Sequence, residues 1–243
     1  MSLANSKPTT TSALQLLGAF RLLCDGKEVR LSFREQRLLA LLALRTGRPR
    51  NYLAATLWPN GSDERALTSL RVTVWRLRQT VPDLVVADRN TVVLRSDLSC
   101  DVQEMLQVAS RVARAPETLD LWDAVSALSG DDFLPGWYDD WVQLEREHLR
   151  QVRVRALDRL ARRALVESDP DVAATAALAS ASIEPLRETP QRLLIAAEMA
   201  LGNMAEARCH FESYRHRVRD ELGIDPSPRL SEFVGRFAGS ARH

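Results

Sequence analysis

Lysine is nearly missing from this chain. Of 33 basic residues only Lys7 and Lys27 are lysine, and the other 31 are arginine. A GC-rich codon supply produces such a bias as readily as function does, so one arginine by itself says little. No apolar run reaches the ~18–20 residues of a membrane span, which excludes an apolar membrane-spanning helix. The first thirteen residues, MSLANSKPTTTSA, lack the charged and apolar regions of a signal peptide and read as a disordered tail. Cysteine is scarce: Cys24, Cys100 and Cys209 are scattered, odd in number and without a CxxC pair. That excludes a disulfide framework and points to a reducing cytoplasm. The nucleotide loop GxxxxGK[ST], the nucleophile elbow GxSxG and the zinc-protease HExxH are all missing. His148, His210, His216 and His243 have no carboxylate or cysteine at metal-ligand spacing, and Cys209-His210 reads as packing. The expectation is a protein that is not an enzyme and holds neither metal nor cofactor.

What is present is an uneven charge distribution. The 243 residues suffice for one large domain or two small ones. Residues 14–97 carry 14 basic and 8 acidic side chains, a balance of +6; residues 98–243 carry 18 and 24, a balance of −6. A basic front and an acidic back suggest two domains with different partners.

In the front part, LQLLGAFRLLCDGKEVRL reads as strand, turn and strand, with Leu14, Leu16, Phe20 and Leu22 on apolar runs and Asp25-Gly26 as a hairpin signal. FREQRLLALLALRTG is helical and Gly47 stops it; RNYLAATLWPN is a short helix ending near Pro59. A cap signal at Ser62-Asp63-Glu64 opens a third helix of about five turns, which Pro82 ends. In SLRVTVWRLRQTV, Leu70, Val74, Leu77 and Val81 form one face, while Arg71, Thr73, Trp75, Arg76 and Arg78 face the other way. LVVADRNTVVLR is a hairpin with Asp88-Arg89-Asn90 at its tip. Small sheet, three helices and hairpin is the layout of a winged helix-turn-helix, with the third helix for recognition and the hairpin as wing.

The helix surface then sorts by chemistry. Arg71 is the best candidate for a base edge, because a guanidinium bonds guanine O6 and N7 together. Thr68, Val72 and Trp75 share its face and are candidates for bases, thymine methyls or sugars. Arg34, Arg37, Arg50, Arg76 and Arg78 are candidates for phosphate contact, which positions without specifying. Arg89 at the wing tip is a candidate for the minor groove or the backbone. Trp75 keeps a second reading, a partly buried packing role against the transactivation-loop helix.

Beyond residue 100 the chain reads as helical: 101–114, 117–128, 141–167, 170–182, 190–201, 204–222 and 227–237. A register of 34 residues links Leu160 with Leu194, Leu165 with Met199 and Ala173 with Ala207, the tetratricopeptide period. The fold class expected is mainly α: an N-terminal α+β winged helix, then an all-α tetratricopeptide-like domain. The expected boundaries are a tail at 1–13, a DNA-binding domain at 14–97 and a helical domain at 98–243. Phe133, Trp137 and Trp141 in FLPGWYDDW read as staples holding a loop on the helical domain. Trp58 reads as core. Asp131, Asp132, Asp139 and Asp140 invite a metal, but without EF-hand spacing.

REQRLLALLALRTGRPRNYLAATLWPN with ALTSLRVTVWRLRQTV, and LSGDDFLPGWYDDWVQLEREHLR with RDELGIDPSPRL, resemble the streptomyces antibiotic regulatory protein type of activator. That family joins an OmpR-like winged helix to a bacterial transcriptional activator domain. The resemblance implies binding to double-stranded promoter DNA at direct repeats, a homodimer on DNA, contact with RNA polymerase and control of secondary metabolism. It also implies a cytoplasmic protein, nucleoid-associated when bound. Many members have a glycine in the wing turn, where this chain has ADRNT. Some larger relatives add an ATPase module, which has no counterpart motif here, so ATP control within this chain is not expected; nor is control by a phospho-acceptor receiver domain. A repressor of the same architecture, and a tetratricopeptide-like adaptor, are the alternative readings.

Overall fold

The apolar alternation at the front of the chain becomes a small sheet. A computed structural model describes residues 12–45, 47–114 and 119–240, with side chains as far as 235. β1 (Ser12–Gln15) pairs antiparallel with β2 (Arg21–Cys24), setting Leu14 opposite Leu22, and β2 pairs with β3 (Lys27–Glu28). Ser12 and Ala13 thus belong to a strand, while 1–11 lies outside the described residues. Asp25 and Gly26 take φ of 49° and 74°, the two left-handed residues that a two-residue hairpin turn of type I′ requires.

Three helices follow. α1 (Phe33–Leu44) opens with the Glu35 carboxylate accepting from Ser32 N and Oγ at 2.7 and 2.6 Å. It buries Leu38, Leu39, Leu41 and Leu42, nearly the whole circumference, and so forms the centre of its unit. α2 (Arg50–Leu57) buries Leu53, Ala54 and Leu57, and α3 (Asp63–Thr80) packs on both. The hairpin β4 (Val85–Ala87) and β5 (Val92–Leu94) comes next. A strand of two residues, β6 (Ser99–Cys100), then returns to lie parallel to β1 and completes the order β3-β2-β1-β6. Nothing in the sequence pattern announced it.

Seven more helices complete the described chain: α4 (Asp101–Arg114), α5 (Leu121–Leu128), α6 (Asp140–Val166), α7 (Pro170–Ile183), α8 (Glu188–Ala200), α9 (Met204–Leu222) and α10 (Pro228–Ser240). The start expected for α5 at 117 lies outside the described residues. The 34-residue register reappears as geometry. Val166 and Ala200 end α6 and α8, Ser168 and Gly202 are both left-handed, and Asp169 and Asn203 are both N-caps. Leu160 and Leu194 are buried, as are Ala173 and Ala207. Each repeat is a helix pair, and α8 packs on both α7 and α9. Apart from Val172, the buried face of α7 is alanine and serine, which lets neighbouring backbones approach closely. The buried Asp158 of α6 is compensated there: it accepts from Ser180 Oγ at 2.8 Å and pairs with Arg187 at 3.0 Å.

The chain forms two units, 1–105 with 131–146, and 106–130 with 147–243. The loop 131–139 therefore belongs to the front unit, and the expectation that its aromatics staple it to the helical domain is corrected. Trp137 stacks on Phe20 with centroids 6.2 Å apart and meets Phe33 edge-on at 4.8 Å. Phe133 is buried and bridges Leu17, while Leu134 N donates to Leu16 O at 2.9 Å. Arg146 holds the loop by donating to the carbonyls of Phe133, Leu134 and Trp137 at 2.8, 2.5 and 3.2 Å. Gly18 admits the loop: a Cβ there would come within 2.7 Å of Asp131 Oδ2. Asp101, the first residue of α4, accepts from Leu16 N and Leu17 N, and so ties the end of β1 to that helix.

Candidate nucleic-acid interface

α3 builds the interface because its two faces have different chemistry. Ser62 caps it by accepting from Arg65 N, and Asp63 and Glu64 in the first turn suit the positive end of the helix dipole. Ala66, Leu70, Thr73, Val74 and Leu77 are buried. Thr73 therefore sits on the core side, not on the outer face expected for it. Its position three residues after Leu70 places it there, and its hydroxyl is satisfied by donating to Ser69 O at 2.8 Å.

The opposite face presents Thr68, Arg71, Val72, Trp75 and Arg76 to solvent. Val72 is 43% and Trp75 61% exposed, large values for apolar side chains on a helix with a full core stripe. The packing alternative for Trp75 is set aside by that exposure. Thr68 donates to Glu64 O at 2.9 Å and keeps its lone pairs outward. The guanidiniums of Arg34, Arg71, Arg76 and Arg89 have no hydrogen-bond or ion-pair partner among the described residues. All four are exposed.

Three other expected phosphate contacts are engaged inside the unit. Arg37 pairs with Asp139 and lies 5.9 Å from the Phe33 ring centroid. Arg78 donates to Val85 O and Ala87 O at 3.4 and 3.3 Å, joining α3 to the wing. Arg50 donates through Nε and Nη2 to Asp88 O at 3.0 and 2.9 Å, and its backbone N–H reaches Asn90 O. Trp58, read as core, is half-buried at the end of α2.

The wing closes without glycine. Asp88 accepts from the backbone N–H groups of Asn90 and Thr91, both at 2.7 Å, and from Thr91 Oγ1 at 2.8 Å. The side chain adds these bonds to the backbone one from Asp88 N to Thr91 O at 3.1 Å, and no residue between 88 and 91 takes a positive φ. Those bonds, the Thr91 N–H first, hold the Asp88 carboxyl below its ordinary value of 3.8. Beside the wing, Pro49 bridges Thr91, and Arg48 lies 5.5 Å from the ring centroid of exposed Tyr52. Neither Arg48 nor Tyr52 was singled out from sequence; the basic-aromatic spacing in RPRNY was the available signal.

Among the described residues no three His, Cys, Asp or Glu side chains gather where a metal could bind. Asp139 serves Arg37 instead. Cys100 is buried, and desolvation pushes its thiol up to about 11, far from a reactive thiolate. No described helix is long and apolar enough to cross a membrane.

Comparison with known proteins agrees with this geometry. The chain is 30% identical over 241 residues to the regulatory protein AfsR of Streptomyces coelicolor, covering 91% of this chain and 24% of that protein. It is 28% identical over 252 residues to AfsR of Streptomyces griseus, covering 96% and 25%. The chain thus spans about a quarter of the length of these curated relatives. Among solved structures, Mycobacterium tuberculosis EmbR in complex with a low-affinity phosphopeptide matches with a TM-score of 0.73 at 20% identity, over 95% of this chain and 66% of that one. That likeness is one of fold, a winged helix followed by a helical domain. Residues 98–235 match the bacterial transcriptional activator domain family. The chain belongs to that family, as a transcriptional regulator of the streptomyces antibiotic regulatory protein type.

Proposed function

We propose that this protein is a sequence-specific activator that inserts α3 into the major groove of promoter DNA. The observation that carries the reading is the uncommitted outer face of α3, where Arg71, Val72 and Trp75 stand exposed opposite a fully buried stripe. Arg71 reads a guanine edge, and Thr68, Val72 and Trp75 contact neighbouring bases, methyls or sugars. Arg34, Arg76 and Arg89 meet phosphates, and Arg48 with Tyr52 extends that contact beside the wing. Arg37, Arg50 and Arg78 act one step behind, fixing α1, the wing and α3 in the posture that makes those contacts. Residues 14–97 carry DNA recognition and 98–243 the activator function.

By analogy with the family, two protomers occupy direct repeats, and RNA polymerase is the second partner. The setting is the cytoplasm and the regulated genes belong to secondary metabolism. The chemistry requires neither a cofactor nor catalysis. Mapping bound sites across the genome supplies the operator. On that operator, Arg71→Ala is expected to lose about 1–3 kcal/mol of specific affinity and much less on unrelated DNA. Equal losses on both would make Arg71 a phosphate contact. A purified transcription assay on the same operator separates an activator from a repressor that merely occupies the site.

A further inference from the structure

Three arginines from three helices surround a groove in the second unit. Arg162 comes from α6, Arg192 from α8 and Arg229 from α10; Leu193, Ala196 and Phe233 complete the lining of a cavity of about 470 Å³. None of the three guanidiniums has an ion-pair or hydrogen-bond partner among the described residues. Their neighbours behave differently. Arg163, the next residue on α6, pairs with Glu167 at 2.7 Å, Arg187 with Asp158 at 3.0 Å and Arg215 with Glu212 at 2.8 Å. Acidic residues outnumber basic ones 24 to 18 over residues 98–243, so three cations lining one cavity run against the balance of that segment. Like charges around one cavity repel, and an anion between them removes that cost.

We propose that this groove binds a small organic phosphate, a molecule joining an aromatic or apolar group to a dianionic phosphate. Three planar guanidiniums offer more donors and charge than one carboxylate accepts, and they match a phosphate monoester with its three oxygens. Leu193, Ala196 and Phe233 supply an apolar surface for the remainder of the molecule. The volume lies in the range of small-ligand sites, and the concave apolar lining does not suit a phosphodiester backbone. The groove belongs to the second unit and the proposed DNA contacts to the first, and its test does not depend on them.

The test is calorimetric titration of the whole chain with 1-naphthyl phosphate, inorganic phosphate and 1-naphthol. Saturable one-to-one binding of naphthyl phosphate is expected, with each half of the molecule at least about tenfold weaker, since one charge-assisted contact or one buried ring accounts for such a factor. Arg192→Gln and Arg229→Gln are each expected to weaken binding about tenfold. Arg208→Gln, on the exposed surface of α9 outside the groove, leaves it unchanged. None of these side chains has a partner among the described residues, so the unfolding midpoints of the variants are expected to stay with that of the parent. No saturable binding at millimolar naphthyl phosphate overturns the proposal. So does equal binding by the two groove variants and the parent, and so does inorganic phosphate binding as tightly as the naphthyl ester.

Discussion

Cutting the chain after Asp97 removes more than a linker. The winged helix appears complete at that point in sequence, yet its unit continues through 98–105 and 131–146. The cut deletes β6 and leaves the inner edge of β1 unpaired. It deletes Asp101, whose carboxylate accepts from Leu16 N and Leu17 N at 2.9–3.0 Å, and stranding two such donors costs about 1–3 kcal/mol each. Phe133 and Leu134 are 1% and 0% exposed, and losing their burial forfeits about 1.5–3 kcal/mol each. Trp137 takes with it two aromatic contacts worth about 0.5–1.5 kcal/mol apiece. Together these reach roughly 6–15 kcal/mol, comparable with the entire net stability of a domain, about 5–15 kcal/mol. A 1–97 fragment is therefore expected to lack a cooperative unfolding transition, while a 1–146 fragment keeps one. Circular dichroism during urea titration checks both. If 1–97 unfolds cooperatively at the midpoint of 1–146, the loop and β6 are ornaments and the reasoning fails.

Arg76 and Arg78 lie two residues apart on α3 with different employment. Arg76→Ala should reduce the salt slope of DNA binding by about one and leave stability within about 0.5 kcal/mol, whereas Arg78→Ala should cost about 0.5–1 kcal/mol of stability because its bonds to the wing are long and only one of them is part-buried; titrations against a duplex at several salt concentrations, with parallel melts, distinguish them. Val74→Asp should unfold the front unit, since Val74 is 5% exposed and an unpaired carboxylate cannot be accommodated there; a folded, DNA-binding variant would mean α3 faces the other way. Asp88 has a depressed pKa, so its contribution to the wing is present above the unfolded value near 3.8 and fades as pH falls through the lower folded value. Carbon-detected NMR titration of the carboxyl should place its midpoint below 3.8 and return it there in Thr91→Ala only in part, because both backbone donors remain.

The helices were legible because burial imposes a period. Leu70, Val74 and Leu77 announced the core face of α3, and the 34-residue register announced the repeat whose turns carry Ser168 and Gly202. Thr73 was misplaced because a polar side chain was assigned outward, although a threonine that bonds back to the preceding turn buries readily. β6 was illegible for a different reason. Two residues cannot display alternation, and their partner lies more than eighty positions upstream. The aromatic loop was visible as a cluster, but composition does not name the surface an aromatic ring will meet. Phe20 and Phe33 are far from Trp137 in sequence, and only the fold brings them together.

The arginines pose the same problem in sharper form. In a chain whose basic residues are almost all arginine, the residue type cannot separate a DNA contact from a strut, but the acceptor can. Arg37 has a carboxylate, Arg50 the Asp88 carbonyl, Arg78 two strand carbonyls and Arg146 three loop carbonyls. A guanidinium in that position has given up its hydration to protein oxygen, and reaching a phosphate would first require breaking those bonds. Arg34, Arg71, Arg76 and Arg89 have no protein acceptor among the described residues, so only water has to leave. Yet the two sets depend on each other. Arg50 and Arg78 tie the wing to α2 and α3, so the wing that carries Arg89 stays fixed to the helix that carries Arg71 and Arg76. Lysine could supply the charge of either set, but one ammonium cannot reproduce the planar, forked engagement that Arg50 makes through Nε and Nη2. The bias toward arginine thus acquires a structural use at the struts, whatever its origin in the codons.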